Sequence, residues 1–572
     1  MASVDTDLEE MMSHLGEFGK YQAWQFALHI IAGLTAGLHM MTLTTVAAVP
    51  EHKCLLPLDL ENTTLQLLDS TFPEQQWNQS AINQSTIPQS PLFHRGPRTI
   101  PGDTCSYLDE NNNTKTCSAW LYNTTYYQSS RGIEWNFVCS RKWMGAVAQS
   151  TYMFGVFAGA VILGSMADKY GRKIIFYISA VAQLILGVLV AFVPEYYTFL
   201  IIRFLYGVFG SAGAYITGFV LTMELVGPSK RTICGISFQA AFATGFMLVA
   251  AWGAVIKDRM WLQIIYGLHS ALLIGHWWLM DESPRWLWAQ GRVREAVTIV
   301  KKGLKMNGTE DHLDMADLVS KSKASADADK SHGGLDLFKT PNLRKKTLNV
   351  CLNWFANSIA YYGLSLNAKN LDGNPFLMMF CSGLVEIPSY VFTTCLMDRT
   401  GRRSLLSTFM LVGGICCISA TQIPEDQKTA VTIISLLGKS CIAGSFAIIY
   451  NYTAELFPTV VRNTALGIGS MCARLSGALT PMIMLLDSFN PKVPPTVFGF
   501  IALVSGFLAL YLPETMNQPM PETLEDGENF GKGDTCFTSW RGRNKNSEYE
   551  IAMQKANEDE RDERTNGKAV VA

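Results

Sequence analysis

Four charged residues sit inside otherwise apolar runs of this chain: Arg203, Glu386, Lys439 and Arg474. A charge at bilayer depth is costly, and it persists where it meets a substrate, an ion or another charge. Arg203 lies near one end of its run, where it could reach water, so an anchor or a structural pair is the expected role. Glu386 is followed by Pro388, which takes an N–H out of the helix and frees a carbonyl one turn earlier. Ser470, Arg474, Gly477 and Pro481 fall on one helical face, and small residues around a long cation suit a cavity wall or a close helix contact. Lys439, Ala443, Phe446 and Tyr450 make a similar face, as do Trp354, Asn357, Tyr361 and Ser365. Aromatic faces attract organic cations by about 0.5–2 kcal/mol per good contact. A guanidinium instead offers carboxylate two parallel donors. The plainer alternative for the deep charges is an internal ion pair, Glu386 with Lys439 or with Arg474. Any single aromatic is more often packing or an interfacial anchor than a ligand contact.

These residues need membrane helices to hold them. The 572 residues are 48% hydrophobic and only 16% charged, with a net charge of −2. The apolar residues gather into runs of about 20, the length a helix needs to cross a bilayer. Spans are predicted near 22–48, 143–166, 174–193, 197–222, 233–256 and 261–280, then 347–368, 375–396, 404–421, 429–452, 463–486 and 495–512. The balance of charge carries no nucleic-acid signature. No zinc-type spacing or Walker loop is present, since Gly438-Lys439-Ser440 lacks the upstream glycine. No nucleophile–base pair marks an enzyme. The acidic, polar start argues against a cleaved signal peptide.

The chain repeats itself. Gly164 to Lys173 contains Asp168 and Gly171-Arg172, and Asp398 with Gly401-Arg402 returns at an offset of 230. Glu224 and Arg231 return as Glu455 and Arg462 at 231, and Glu282-Ser283 returns as Glu514-Thr515 at 232. Echoes at nearly constant spacing describe two copies of one unit, the plan of a transporter with two pseudo-equivalent halves. The glycines relax the turn, and the basic residues after them hold it on the cytoplasmic side.

One segment differs from the rest. Residues 49–142 are polar and hold Cys54, Cys105, Cys117 and Cys139, with Asn-x-Ser/Thr sequons at Asn62, Asn78, Asn83, Asn112 and Asn123. Clustered sequons place the loop outside, and the even cysteine set reads as two disulfides with three pairings open. An even number of spans then puts both termini in the cytoplasm. The sequon at Asn307 lies on that inner side and should stay bare. The organisation is a cytoplasmic 1–21, a first half 22–280, a central loop 281–346, a second half 347–512 and a disordered tail 513–572.

The motif set is similar to that of the organic cation, carnitine and organic anion transporter family of the major facilitator superfamily. It comprises Leu15-Gly-Glu-Phe-Gly19, the Cys-rich loop, Glu134-Trp135, Gly164–Lys173, Glu282-Ser-Pro-Arg-Trp-Leu287, Tyr361-Tyr-Gly-Leu-Ser-Leu366, Met397–Arg403 and Glu455–Asn463. Two departures are Thr394, where the second loop motif usually opens with Gly, and four loop cysteines in place of six. The resemblance implies an all-α membrane protein of twelve helices in two six-helix halves, the major facilitator fold. It implies alternating access, with Asp168, Arg172 and Glu224, and Asp398, Arg402 and Glu455, forming cytoplasmic networks that hold the halves together when the site faces outward. It adds Tyr215, Gln239 and Trp252 to a substrate site of Trp354, Tyr361, Glu386, Lys439, Phe446, Tyr450 and Arg474.

At the position of Arg474 the resemblance gives Asp in strict cation transporters and Arg in the carnitine and anion branches. A fixed Arg with Glu386 and aromatics suits a zwitterion such as carnitine or a betaine. The expected protein is a monomeric, multi-pass plasma-membrane transporter of small organic ions, with lipid and substrate as its partners. It holds no metal and no cofactor, and Na⁺ or H⁺ coupling is open. Organic cations or anions are the nearer alternatives, and a non-transporting receptor or scaffold is the distant one.

Overall fold

Hydrocarbon offers no water to peptide groups, so apolar runs of this length must bond internally as helices. The computed structural model describes residues 11–56, 98–100, 103–109, 111–309, 334–424, 426–516, 518, 520–521 and 523–532. In the first half, α1 is Lys20–Met41, α2 Lys142–Tyr170, α3 Arg172–Leu189, α4 Tyr196–Leu225 and α5 Pro228–Val255. Short segments Arg259–Leu268, Ala271–Ile274 and His276–Leu279 build α6. In the second half, α7 is Pro341–Asn367, α8 Pro375–Thr400, α9 Arg402–Gln422, α10 Lys428–Leu456, α11 Thr459–Met484 and α12 Val493–Ala509. Nine helical segments among the described residues are long and apolar enough to cross a membrane. The other three are the broken α6, the short α12 and α7, which buries Asn353, Asn357 and Ser358.

Several helices outrun their apolar stretches. The polar continuations of α2 to Tyr170 and α5 from Pro228 remain helical because their side chains reach water while the backbone ladder goes on. The interior of α4 is not plain α-helix. Val208–Tyr215 is π-helical, in a stretch of small residues that includes Gly210 and Gly213 and resists widening little. In α8 the missing N–H of Pro388 leaves Leu384 without its partner, and the helix is interrupted before Glu386. Across the halves, α5 packs on α8; within them, α1 packs on α5, α7 on α11, and α9 on α10 and α12.

The end that carries the loop motifs is tied down by polar side chains. Asn307, at the end of the connector helix Val293–Asn307, accepts from Tyr21 N (2.9 Å) and donates to Leu15 O and Gln22 Oε1 (both 3.1 Å). Its amide nitrogen is thus committed to structure. Glu17 accepts from Ser229 N at 3.2 Å and Ser229 Oγ at 2.9 Å, at the start of α5. The tail corrects one expectation. Rather than being disordered from 513 on, it forms the helix Leu524–Asn529, whose Glu528 accepts from Asn342 N (2.9 Å) and Leu343 N (2.8 Å) at the start of α7. Residues 533–572 lie outside the described residues.

The insertion forms a separate compact unit, Val46–Gly145 with Lys257–Arg259. His52–Cys54 pairs antiparallel with Trp120–Tyr122, and Ser106–Leu108 lies between Arg98–Thr99 and Thr114–Thr116. Of the three pairings left open, the structure forms Cys54–Cys117 and Cys105–Cys139. Glu134 bridges Arg131 at 2.7 Å and Arg259 at 3.0 Å. Asn112 and Asn123 are exposed, whereas Asn62, Asn78 and Asn83 fall outside the described residues.

Candidate functional site

Between the halves, side chains line a pocket whose empty space, counting the part open to solvent, comes to about 790 Å³. The first half supplies Met40, Met153, Val156, Tyr215, Gln239 and Phe242. The second supplies Ser358, Tyr361, Tyr362, Tyr390, Phe446, Tyr450, Ser470, Ala473, Arg474 and Gly477. Among the described residues, Arg474 is the single charged one in this lining. Its Nη1 donates to Ser470 O at 3.2 Å and to Ser470 Oγ, and no carboxylate among the described residues pairs with it. Aromatic rings stand around it: Tyr361 meets Tyr362 edge-on at 5.3 Å, and tilted pairs join Tyr361 to Phe446 at 5.7 Å and Phe446 to Tyr450 at 5.9 Å.

Behind this wall the structure regroups two expected ligands. Glu386 and Lys439 are 0% and 1% exposed and line no part of the cavity. They pair with each other, Lys439 Nζ to Glu386 Oε1 at 3.1 Å, which corrects their placement in the substrate site. Lys439 also donates to Tyr361 O at 3.2 Å and to Ser365 Oγ. Glu386 Oε2 accepts from the hydroxyls of Tyr361 and Tyr390, both at 2.9 Å. The pair therefore holds two lining tyrosines by their far ends. Desolvation decides the arrangement, because two charges this deep are stable only when neutralised and fully hydrogen-bonded.

Other positions divide similarly. Tyr215, Gln239, Tyr361, Phe446, Tyr450 and Arg474 meet at the cavity as expected. Trp354 does not; it is fully buried under Tyr450, at 4.3 Å between rings, with Nε1 donating to Thr453 Oγ1 at 3.0 Å. Trp252 donates to His269 Nε2 at 3.3 Å and is also no part of the lining. Tyr390 and Tyr362 went unread. Tyr390 follows Glu386 by one helical turn, and Tyr362 adjoins Tyr361, so spacing alone held a signal for both.

Arg203 departs from one half of its expectation, since it is no anchor reaching water but a buried structural residue. It is 0% exposed, and its partners are neutral: Thr42 Oγ1 at 3.2 Å, Gln149 Oε1 at 3.4 Å and the face of Tyr152 at 4.6 Å. Among the described residues no carboxylate pairs with it. Position along the sequence misled, because Arg203 lies on the inward face of α4, against Thr42, Gln149 and Tyr152, while Tyr197 and Ile201 on the same helix end are exposed.

The repeated loop motifs come together twice. Arg172 contacts Glu224 at 2.8 Å and Asp168 at 3.3 Å; Arg402 contacts Glu455 at 3.0 Å and Asp398 at 3.1 Å. The third echo explains itself here. Glu282 accepts from Lys173 N (3.0 Å), and Glu514 from Arg402 N (2.8 Å), so each carboxylate caps the helix after the turn. Gly171 and Gly401 have φ of 110° and 87°, a conformation costly for other residues. The ion pairs made by these six charged residues all lie within their own half. They staple each half internally rather than bonding one half to the other.

Residues 104–526 match the family described as "Sugar (and other) transporter". The chain is 38% identical over 92% of its length to an organic cation transporter protein of Drosophila melanogaster, covering 95% of it. It is 30% identical to human organic cation/carnitine transporter 2, over 91% of this chain and 93% of that one. The chain belongs to the solute carrier 22 family of the major facilitator superfamily. The proton:xylose symporter XylE superposes with a TM-score of 0.57 at 16% identity, over 89% of this chain and 98% of that one, which shows the shared fold. The protein is thus a multi-pass membrane transporter of small organic substrates and not an enzyme. In this transporter both halves line the cavity, and among the described residues its charge comes from Arg474 on α11.

Proposed function

We propose that this transporter carries zwitterionic organic ions, such as carnitine or a betaine, across the plasma membrane with both termini in the cytoplasm. The observation that carries this reading is Arg474. Among the described residues it is the one charged group lining the cavity and has no carboxylate partner, and it stands among aromatic faces. A guanidinium so placed takes a carboxylate by two parallel donors, and an ammonium group settles on Tyr361, Phe446 or Tyr450 by cation–π attraction. The human relative's name includes carnitine, which supports the class. Na⁺ or H⁺ coupling belongs to the proposal as a variable of the test.

A second reading, an organic anion, draws support from the sequestration of Glu386 by Lys439. With that carboxylate neutralised, nothing charged in the lining favours a cation, and only the aromatic faces do. Uptake of labelled carnitine, a quaternary ammonium and a dicarboxylate, each with and without Na⁺, separates the readings. Carnitine should be preferred. Uptake of the quaternary ammonium alone would overturn both readings, and uptake of the dicarboxylate alone would leave only the second.

A further inference from the structure

The halves are not joined equally above and below the cavity. Toward the end where the insertion leaves α1, Ser150 of α2 is buried and its Oγ donates to Ala478 O of α11 at 2.7 Å. Nearby, Tyr362 Oη donates to Met40 Sδ at 3.3 Å, again from one half to the other. Met40, Met153, Val156 and Ala478 close around these bonds as one apolar cluster. Farther along, Met247 of α5 lies so close to Gly383 of α8 that an added Cβ would come within 2.7 Å. Toward the motif end, among the described residues, a ring contact between the halves is Phe219 with Tyr450, at 6.2 Å and without a hydrogen bond between them.

Ala478 is one helical turn beyond Arg474 and three residues before Pro481. Pro481 has no N–H for Gly477 O, so this turn of α11 is the one that bends most easily. The residue that faces the substrate and the carbonyl that receives Ser150 therefore ride on one pliable segment.

We propose that the Ser150–Ala478 hydrogen bond is the latch of the insertion-side gate, released when α11 flexes at Pro481. Ser150 touches no substrate; it is a positioning residue whose loss unlocks the gate while the cavity keeps its lining. The inference rests on the chain being an alternating-access transporter, and it holds for whichever organic ion Arg474 selects.

The test uses the full-length transporter in cells, with Met247→Cys as a reporter and a membrane-impermeant maleimide added from outside. Ser150→Ala should raise the labelling rate roughly three- to ten-fold, the scale of one buried hydrogen bond. Ser150→Thr, which keeps the hydroxyl, should label as the parent does. The same variants without Met247→Cys subtract the native cysteines. Adding Arg474→Lys should leave the effect of Ser150→Ala in place, so an error about the substrate does not disguise itself as an error about the gate. Parent-like labelling of Ser150→Ala, at normal surface level, overturns the latch. If Ser150→Ala fails to reach the surface, the Ser150→Cys/Ala478→Cys pair decides. Uptake that stops on oxidation and returns on reduction supports the latch; uptake that continues with the cross-link formed overturns it.

Discussion

The two halves are copies where they build turns and strangers where they face the cavity. At the loop motifs, Arg172 and Arg402 are 12% and 15% exposed and reach matching glutamates at 2.8 and 3.0 Å. Deeper in, each half buries a cation, and the correspondence ends. Lys439 has a carboxylate at 3.1 Å, whereas Arg203 has only neutral partners. The second half also supplies Arg474, and the first supplies no charge to the lining. Turn geometry tolerates little change, so the repeat persists there. Ligand recognition needs an asymmetric site, and on the proposed reading the second half selects while the first shapes the wall.

That contrast predicts unequal responses to mutation. Lys439→Met strands Glu386 as a buried unpaired charge and should cost about 3–5 kcal/mol, seen as loss of surface protein and a lowered melting temperature. The double variant Glu386→Gln/Lys439→Met should recover much of this. Arg203→Met strands no carboxylate, only the acceptors on Thr42 and Gln149, and should cost about 1–3 kcal/mol. Equal losses for Lys439→Met and Arg203→Met would break the comparison.

The motif networks sharpen it from the other side. Arg172→Ala and Arg402→Ala should each reduce turnover by a similar factor, with surface delivery largely kept, because the two turns are built alike. Full transport in both variants would remove these networks from the mechanism. The smallest expected effect is at the surface. Asn112→Gln and Asn123→Gln should each remove a glycan-sized mass step on a gel, while Asn307→Gln should remove none. A glycan on Asn307 would contradict the topology, and it would also displace the bonds to Leu15 and Gln22.

Much of this was legible in the sequence because its causes are local. Run length announced the helices, and fixed offsets announced the repeat, including Glu282 and Glu514 before their capping role was visible. Six of ten expected substrate-site residues reach the cavity, since helical spacing puts Tyr361, Phe446, Tyr450 and Arg474 on faces that a core must bury. The misses were matters of partnership. Spacing placed Glu386 and Lys439 at depth but could not say that they would spend their charge on each other. Nor could it say that neighbouring helices would cover Arg203, or that a tail rich in charge would return Glu528 to the start of α7. Depth follows from one helix, and pairing follows from the whole bundle.

The central claim is that the second half selects substrate through the Arg474 carboxylate fork, and one measurement addresses it directly. Uptake of labelled carnitine and of a simple quaternary ammonium is compared in wild type, Arg474→Lys and Arg474→Asp, each normalised to surface protein. Losing a hydrogen-bonded charge partner costs about 2–5 kcal/mol, roughly thirty-fold or more in affinity. Arg474→Lys, which keeps the charge but not the fork, should weaken carnitine noticeably. Arg474→Asp should abolish carnitine uptake and let the quaternary ammonium compete. Carnitine uptake at the wild-type level in Arg474→Asp, with normal surface protein, would contradict the account.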